Sequence, residues 1–158
     1  MTARELIDYL SFDTAFGVYT RQGLEVKLSE CLVDSVLFII DFNHIHTLNK
    51  QVGYRKANEI IRGLFDQLRD NYPCDEIDIG RVFSGDEIAI NVMTKDPANV
   101  IFNFMEICRA RNIGFKYIKC NLQKLTPLYH IPIILDKLSE DLQTNPTYTS
   151  TYENKTRR

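Results

Sequence analysis

The sequence lacks a marked excess of charge, an apolar run long enough to cross a bilayer, a close pair of cysteines and any internal repeat. Lys and Arg number 19 and Asp and Glu 21, a formal charge of −2. That balance argues against stable binding to long nucleic acid, which needs a basic footprint, but not against nucleotides held through metal ions. Met1 to Leu10 is charged and only mildly apolar, so it reads as neither signal peptide nor anchor, and the expected location is the cytoplasm. Cys31, Cys74, Cys108 and Cys120 are far apart, with no C-x-x-C pair and no histidines at ligand spacing, and are expected to be reduced packing residues. No sensor domain, coiled coil or receiver is expected ahead of the domain. What remains is an ordinary globule, 44% hydrophobic and 25% charged over 158 residues, enough for one substantial core.

Periodicity orders the chain. Residues 3 to 10 read as a short helix, and Asp13 to Gly23 as a turn-rich lead into a helix reaching about Cys31. Ser35-Val36-Leu37-Phe38-Ile39-Ile40-Asp41 is a nearly unbroken apolar run ending in one acid, the pattern of a central strand buried on both faces. Tyr54, Ala57, Ile60, Ile61, Leu64, Phe65 and Leu68 recur at helical spacing, and the helix stops near Asn71 and Pro73. Ile77 to Phe83 and Ile88 to Met93 read as a hairpin. Asp96-Pro97 caps a helix ending near Asn112. Ile113 to Leu122 is a fourth strand, and Ile131, Ile134, Leu135, Leu138 and Leu142 mark a last helix. The order β-α-β-β-α-β predicts an α+β, ferredoxin-like palm, an antiparallel sheet with helices packed on it. Residues 1–143 form one domain, and 144–158 a loose polar tail.

The hairpin turn, Ser84-Gly85-Asp86-Glu87, carries adjacent carboxylates. Such a pair is costly to bring together without a cation, because like charges oppose each other's ionisation. If the central strand lies beside the hairpin, Asp41 joins Asp86 and Glu87 at one edge of the sheet. Hard oxygen ligands of this kind suit Mg²⁺ or Mn²⁺, whose work with few carboxylates is to hold triphosphates. For an isolated Asp-Glu turn, a polar strand tip is the plainer reading, and it is the third acid that shifts the balance.

Ser84-Gly85-Asp86-Glu87-Ile88 resembles the signature turn of the GGDEF nucleotidyl cyclases, with serine for the first glycine and isoleucine for the phenylalanine. Asp41 to Asn58 matches that family's D-x-D-x-F-K-x-I-N-D-x-x-G-H-x-x-G-D block without a gap. Asp13 to Leu24, with Gly17, Arg21 and Gly23, is similar to its N-terminal D-x-L-T-G-L-x-N-R block. The resemblance runs from about residue 13 to residue 93 and fades beyond residue 95.

The resemblance implies two divalent ions per site, held by Asp41, Asp86 and Glu87 with the carbonyl of Phe42. It also implies catalysis by attack of a ribose hydroxyl on an α-phosphorus. Backbone amides from Asn43 through His44 to Ile45 would hold phosphates. His44 and His46 stand where the family usually has an aromatic residue and a lysine, and are expected to be packing or solvent-facing. Asn49 matches the base-contacting asparagine. Asn58 stands where guanine-specific enzymes carry aspartate, and an amide's donor and acceptor complement adenine, so ATP is favoured over GTP. Arg81 is expected to pair with one of the acids, and Lys137 stands for the family's C-terminal lysine without its local motif. Asp75 and Asp78 occupy the places of an inhibitory R-x-x-D product site, whose arginine is missing. A palm of this size also looks like the minimal CRISPR polymerases. That likeness implies anti-phage signalling through a cyclic dinucleotide of the c-di-AMP type, read by a separate effector, soluble or membrane-bound. Two triphosphates must face each other, so the resemblance implies a catalytic homodimer. The linkage, 2′–5′ or 3′–5′, stays open, as do diguanylate cyclase and non-catalytic nucleotide-binding readings.

Overall fold

A computed structural model describes residues 2, 3, 5, 11–73, 75–83 and 87–149. Most of the expected helix over residues 3 to 10 therefore lies outside the described residues, as do Cys74 and Ser84 to Asp86.

The elements are β1 (Phe12–Asp13), β2 (Val18–Tyr19), α1 (Arg21–Ser29), β3 (Ser35–Phe42), α2 (Ile45–Val52), α3 (Tyr54–Asn71), β4 (Ile77–Arg81), β5 (Glu87–Val92), α4 (Pro97–Arg109), β6 (Phe115–Leu122), α5 (Ile131–Thr144) and β7 (Tyr148–Thr149). Among the described residues they build one sheet in the order β1-β2-β4-β5-β3-β6-β7. Each of the four long strands is antiparallel to its long neighbours, and β3 lies between β5 and β6. This is the expected split β-α-β-β-α-β unit, extended by short edge strands.

The unbroken apolar run of β3 is explained by helices on both faces. Phe38, Ile40 and Phe42 point to α3 and α4, where Phe65 and Phe104 stack with ring centroids 5.5 Å apart. Leu37 and Ile39 point to the other side, against Leu24 and Leu28 of α1 and Leu135, Leu138 and Leu142 of α5. α1 lies so close to β4 that a Cβ at Gly80 would come within 2.7 Å of Leu24 Cβ, which restricts that strand position to glycine. Asp96 caps α4 by accepting from the Asn99 amide, with Pro97 in the first turn, as its sequence predicts.

The loose tail is corrected as far as residue 149. Tyr148 and Thr149 pair with Tyr117 and Lys116, Tyr148 stacks on Tyr117 at 5.6 Å, and Thr147 Oγ1 accepts from the Lys119 amide. An edge strand needs only backbone groups and one good ring contact, so polar composition does not prevent it.

Candidate functional site

Asp41 is the last residue but one of β3, and its direct cross-strand partners are Glu87 on one side and Lys116 on the other. Side chains alternate along a strand, so Asp41 follows Leu37 and Ile39, and Glu87 precedes Ala89, onto the α5 face. Two of the three expected acids are thus brought together at the carboxyl end of the central strand, and Asp86 lies outside the described residues. The Val82 amide donates to the Glu87 carbonyl at 3.1 Å and closes the strands on either side of the turn.

Helix α5 and strand β6 supply the surroundings. Ser139 Oγ donates to Glu87 Oε1 at 2.5 Å, and Gln143 Nε2 reaches Asp41 Oδ2 at 3.2 Å and Glu87 Oε2 at 3.4 Å. Lys116 Nζ donates to Gln143 Oε1 at 2.9 Å and stands 4.0 Å from Asp41 Oδ2. Burial pushes the Glu87 carboxyl above its usual range and the charge of Asp41 adds to this, while Ser139, Gln143 and Lys116 pull it down. Among the described residues, no cluster of three or more His, Cys, Asp or Glu side chains forms a metal cage.

The base-contacting candidates form a second locality. Asn49 of α2 and Asn58 of α3, both half-buried, line one cavity of ≈ 250 Å³ with Phe16, Ile45, Tyr54 and Arg81. Gly53 makes this possible, because its φ of 83° and ψ of 160° break the chain between the two helices in a region reserved for glycine. The guanidinium of Arg81 lies 4.0 Å from the centroid of the Phe16 ring. Among the described residues its carboxylate partner is Asp13, rather than Asp41 or Glu87.

Other expected residues are placed less favourably. The Asn43 amide is spent on the Gly114 carbonyl at 2.9 Å, so it is not presented to a phosphate. His44, left-handed at φ 55°, opens α2 just ahead of the buried Ile45. His44 and His46 are both exposed. The Phe42 ring is buried in the core, which leaves only its carbonyl for a ligand. Lys137 is exposed and pairs with Asp141 at 3.2 Å. It sits roughly 200° around α5 from Ser139, and so lies off the face that meets the acids. Asp78 is half-buried, and its burial pushes the carboxyl up, partly offset by Lys27. Ser139, Gln143, Lys116, Phe16 and Tyr54 were missed by sequence reasoning. The one available signal was a serine beside the inward stripe of the last helix.

No family model and no curated protein matches the chain. Solved structures do match it. A microbial GGDEF domain studied with bis-(3′,5′)-cyclic di-GMP superposes with a TM-score of 0.68 and 16% identity, over 87% of this chain and 95% of that one. The chain has the fold of a GGDEF domain. The GGDEF domain of DgcB from Caulobacter crescentus, in complex with c-di-GMP, matches with a TM-score of 0.61 and 13% identity, over 90% of this chain and 93% of that one. The diguanylate cyclase SiaD from Pseudomonas aeruginosa, in complex with its activator SiaC, matches with a TM-score of 0.67 and 13% identity. There the match covers 90% of this chain and 63% of SiaD. Within the GGDEF fold, the acid pair sits where β3 and β5 lie side by side, and the asparagine-lined cavity sits between the two helices that follow β3.

Proposed function

We propose that this chain is a nucleotidyl cyclase that condenses two nucleoside triphosphates, ATP preferred, into a cyclic dinucleotide. The observation that carries this is the direct cross-strand pairing of Asp41 with Glu87. No purely structural role requires two acidic side chains side by side at a sheet end, where like charges repel. The oxygen-only donor set suits a hard cation. Asp41, Glu87 and the Phe42 carbonyl, with Asp86 next in sequence to Glu87, would hold two Mg²⁺ or Mn²⁺ ions. When bound, such ions neutralise the triphosphate and favour ionisation of the attacking ribose hydroxyl.

The chain's own residues would do the rest. Asn49 and Asn58 would read the base in the cavity they share, and Tyr54 would cover it. The amides that open α2 at His44 and Ile45 would meet phosphate oxygens, and Lys116 would replace Lys137 as the cation nearest the acids. Each ribose hydroxyl attacks the other nucleotide's α-phosphorus, forming a phosphodiester and breaking the bond to the β-phosphate, so two triphosphates give one cyclic dinucleotide and two pyrophosphates. Asn58 supports adenine, because an amide pairs with its N6 amine and a ring nitrogen, whereas guanine's edge asks for a carboxylate. A guanine-using reading draws support from SiaD, a diguanylate cyclase. The likeness to minimal CRISPR polymerases supports a place in anti-phage defence, upstream of a separate effector that reads the product.

Purified chain incubated with each labelled triphosphate and Mg²⁺ or Mn²⁺, followed by chromatography, tests the reading. ATP should yield a cyclic dinucleotide, and Asp41→Asn or Glu87→Gln should remove the product while leaving the thermal transition in place. Product from GTP alone selects diguanylate cyclase. All four triphosphates left untouched, with either metal, overturns catalysis and leaves a nucleotide-binding scaffold.

A further inference from the structure

Two polar side chains of α5, one turn apart, meet the acids, and their contacts form a continuous chain. Ser139 is only 8% exposed and sits among Leu135, Leu138 and Leu142, where an apolar residue would otherwise pack. Its hydroxyl has one proton, and that proton is given to Glu87 Oε1. With Oε1 fixed, the carboxylate cannot rotate freely, and Oε2 is left toward the Asp41 side, where Gln143 Nε2 contacts an oxygen of each acid. The amide is tethered at its other end by Lys116.

We propose that Ser139 is a positioning residue for the acid pair. Its hydrogen bond holds Glu87 in the orientation in which one oxygen faces Asp41, so that both carboxylates can ligate one cation. Gln143, anchored by Lys116, sets the side from which the pair is approached. This rests on the reading of Asp41 and Glu87 as a cation site. Polar partners behind metal-ligating side chains characteristically contribute about 10- to 100-fold to metal affinity, and a bond from a buried hydroxyl to a ligating carboxylate belongs to that class.

The probe is Mn²⁺ alone, titrated into the full chain without nucleotide and followed by the electron paramagnetic resonance signal of the free ion, so that no turnover enters the readout. Ser139→Ala should weaken Mn²⁺ binding by about 10-fold or more. In a Glu87→Ala background the same substitution should change nothing further, because the residue through which Ser139 acts is gone. Should Ser139→Ala fail to fold, the cycle is run with Ser139→Cys, which keeps the size and weakens the donor. Unchanged affinity in the single variant overturns the inference, as does an equal loss in both backgrounds, which would mark a general effect on packing. A parent chain that takes up no Mn²⁺ overturns the cyclase reading, and this inference with it. A parent chain that binds Mn²⁺ while its Ser139 variants match it overturns the inference alone.

Discussion

At the scale of single residues, carboxylates in this chain divide by what surrounds them. Glu87 and Asp78 are both pushed up by burial, but Glu87 has hydroxyl and amide donors against it, whereas the main compensation for Asp78 is the charge of Lys27. Asp78 faces Asn91 across the β4–β5 ladder, and the amide of Asn91 is buried without a hydrogen-bond partner among the described residues. A carboxyl whose folded-state pKa is raised binds its proton more tightly in the native than in the unfolded chain. Stability then falls as pH rises from the ordinary carboxylate range through the folded value. Asp78→Asn should remove that slope. Its melting temperature should match the parent's below the ordinary carboxylate range and exceed it near neutrality. A parent that gains on the variant as pH rises would show that the sign is wrong.

At the scale of elements, the break between α2 and α3 governs the cavity. Asn49 and Asn58 belong to different helices, and only the turn at Gly53 lets both line the same space. No side chain crowds the position of a Cβ at Gly53, so the obstacle to substitution is backbone strain alone. Gly53→Ala should cost about 1–3 kcal/mol, read as a lower unfolding midpoint in urea. If the strain is relieved by moving the helices apart, nucleotide affinity should fall as well. Wild-type stability would show that the turn is held by other contacts. Arg21 acts at the same scale, since its guanidinium joins Glu25 of α1, the Val82 carbonyl beside the hairpin turn and Asp136 of α5, each at 2.9 Å. It ties α1, the end of the hairpin and α5 together.

At the scale of the whole molecule, one palm presents one acid pair and one asparagine-lined cavity, while a cyclic dinucleotide is made from two nucleotides. Two chains facing each other about a two-fold axis would each supply one nucleotide, the commonest closed arrangement for identical subunits. Product formation in dilute enzyme should therefore rise more steeply than the first power of enzyme concentration. A strictly proportional dependence, together with a monomer in sedimentation, would contradict the face-to-face arrangement. No described helix is long and apolar enough to cross a membrane.

The sequence by itself determined the central strand, the period of each long helix, the capped start of α4 and the order of the pieces. Each of these is written in a local pattern of apolar spacing or in a pair of adjacent residues. Asp41, Asn49 and Asn58 were singled out because the block that contains them keeps its spacing. Only the tertiary structure decided that Asp41 stands opposite both Glu87 and Lys116, since a slip of one residue in either strand would turn those side chains to the other face. It also decided that Ser139 and Gln143, about a hundred residues from Asp41, reach the acids, and that Lys137 does not. The same holds for Arg81, whose pairing with Asp13 depends on how β1 and β2 fold back beside β4. Local periodicity specifies which face of an element is buried, and the packing of distant elements then specifies what each polar side chain meets.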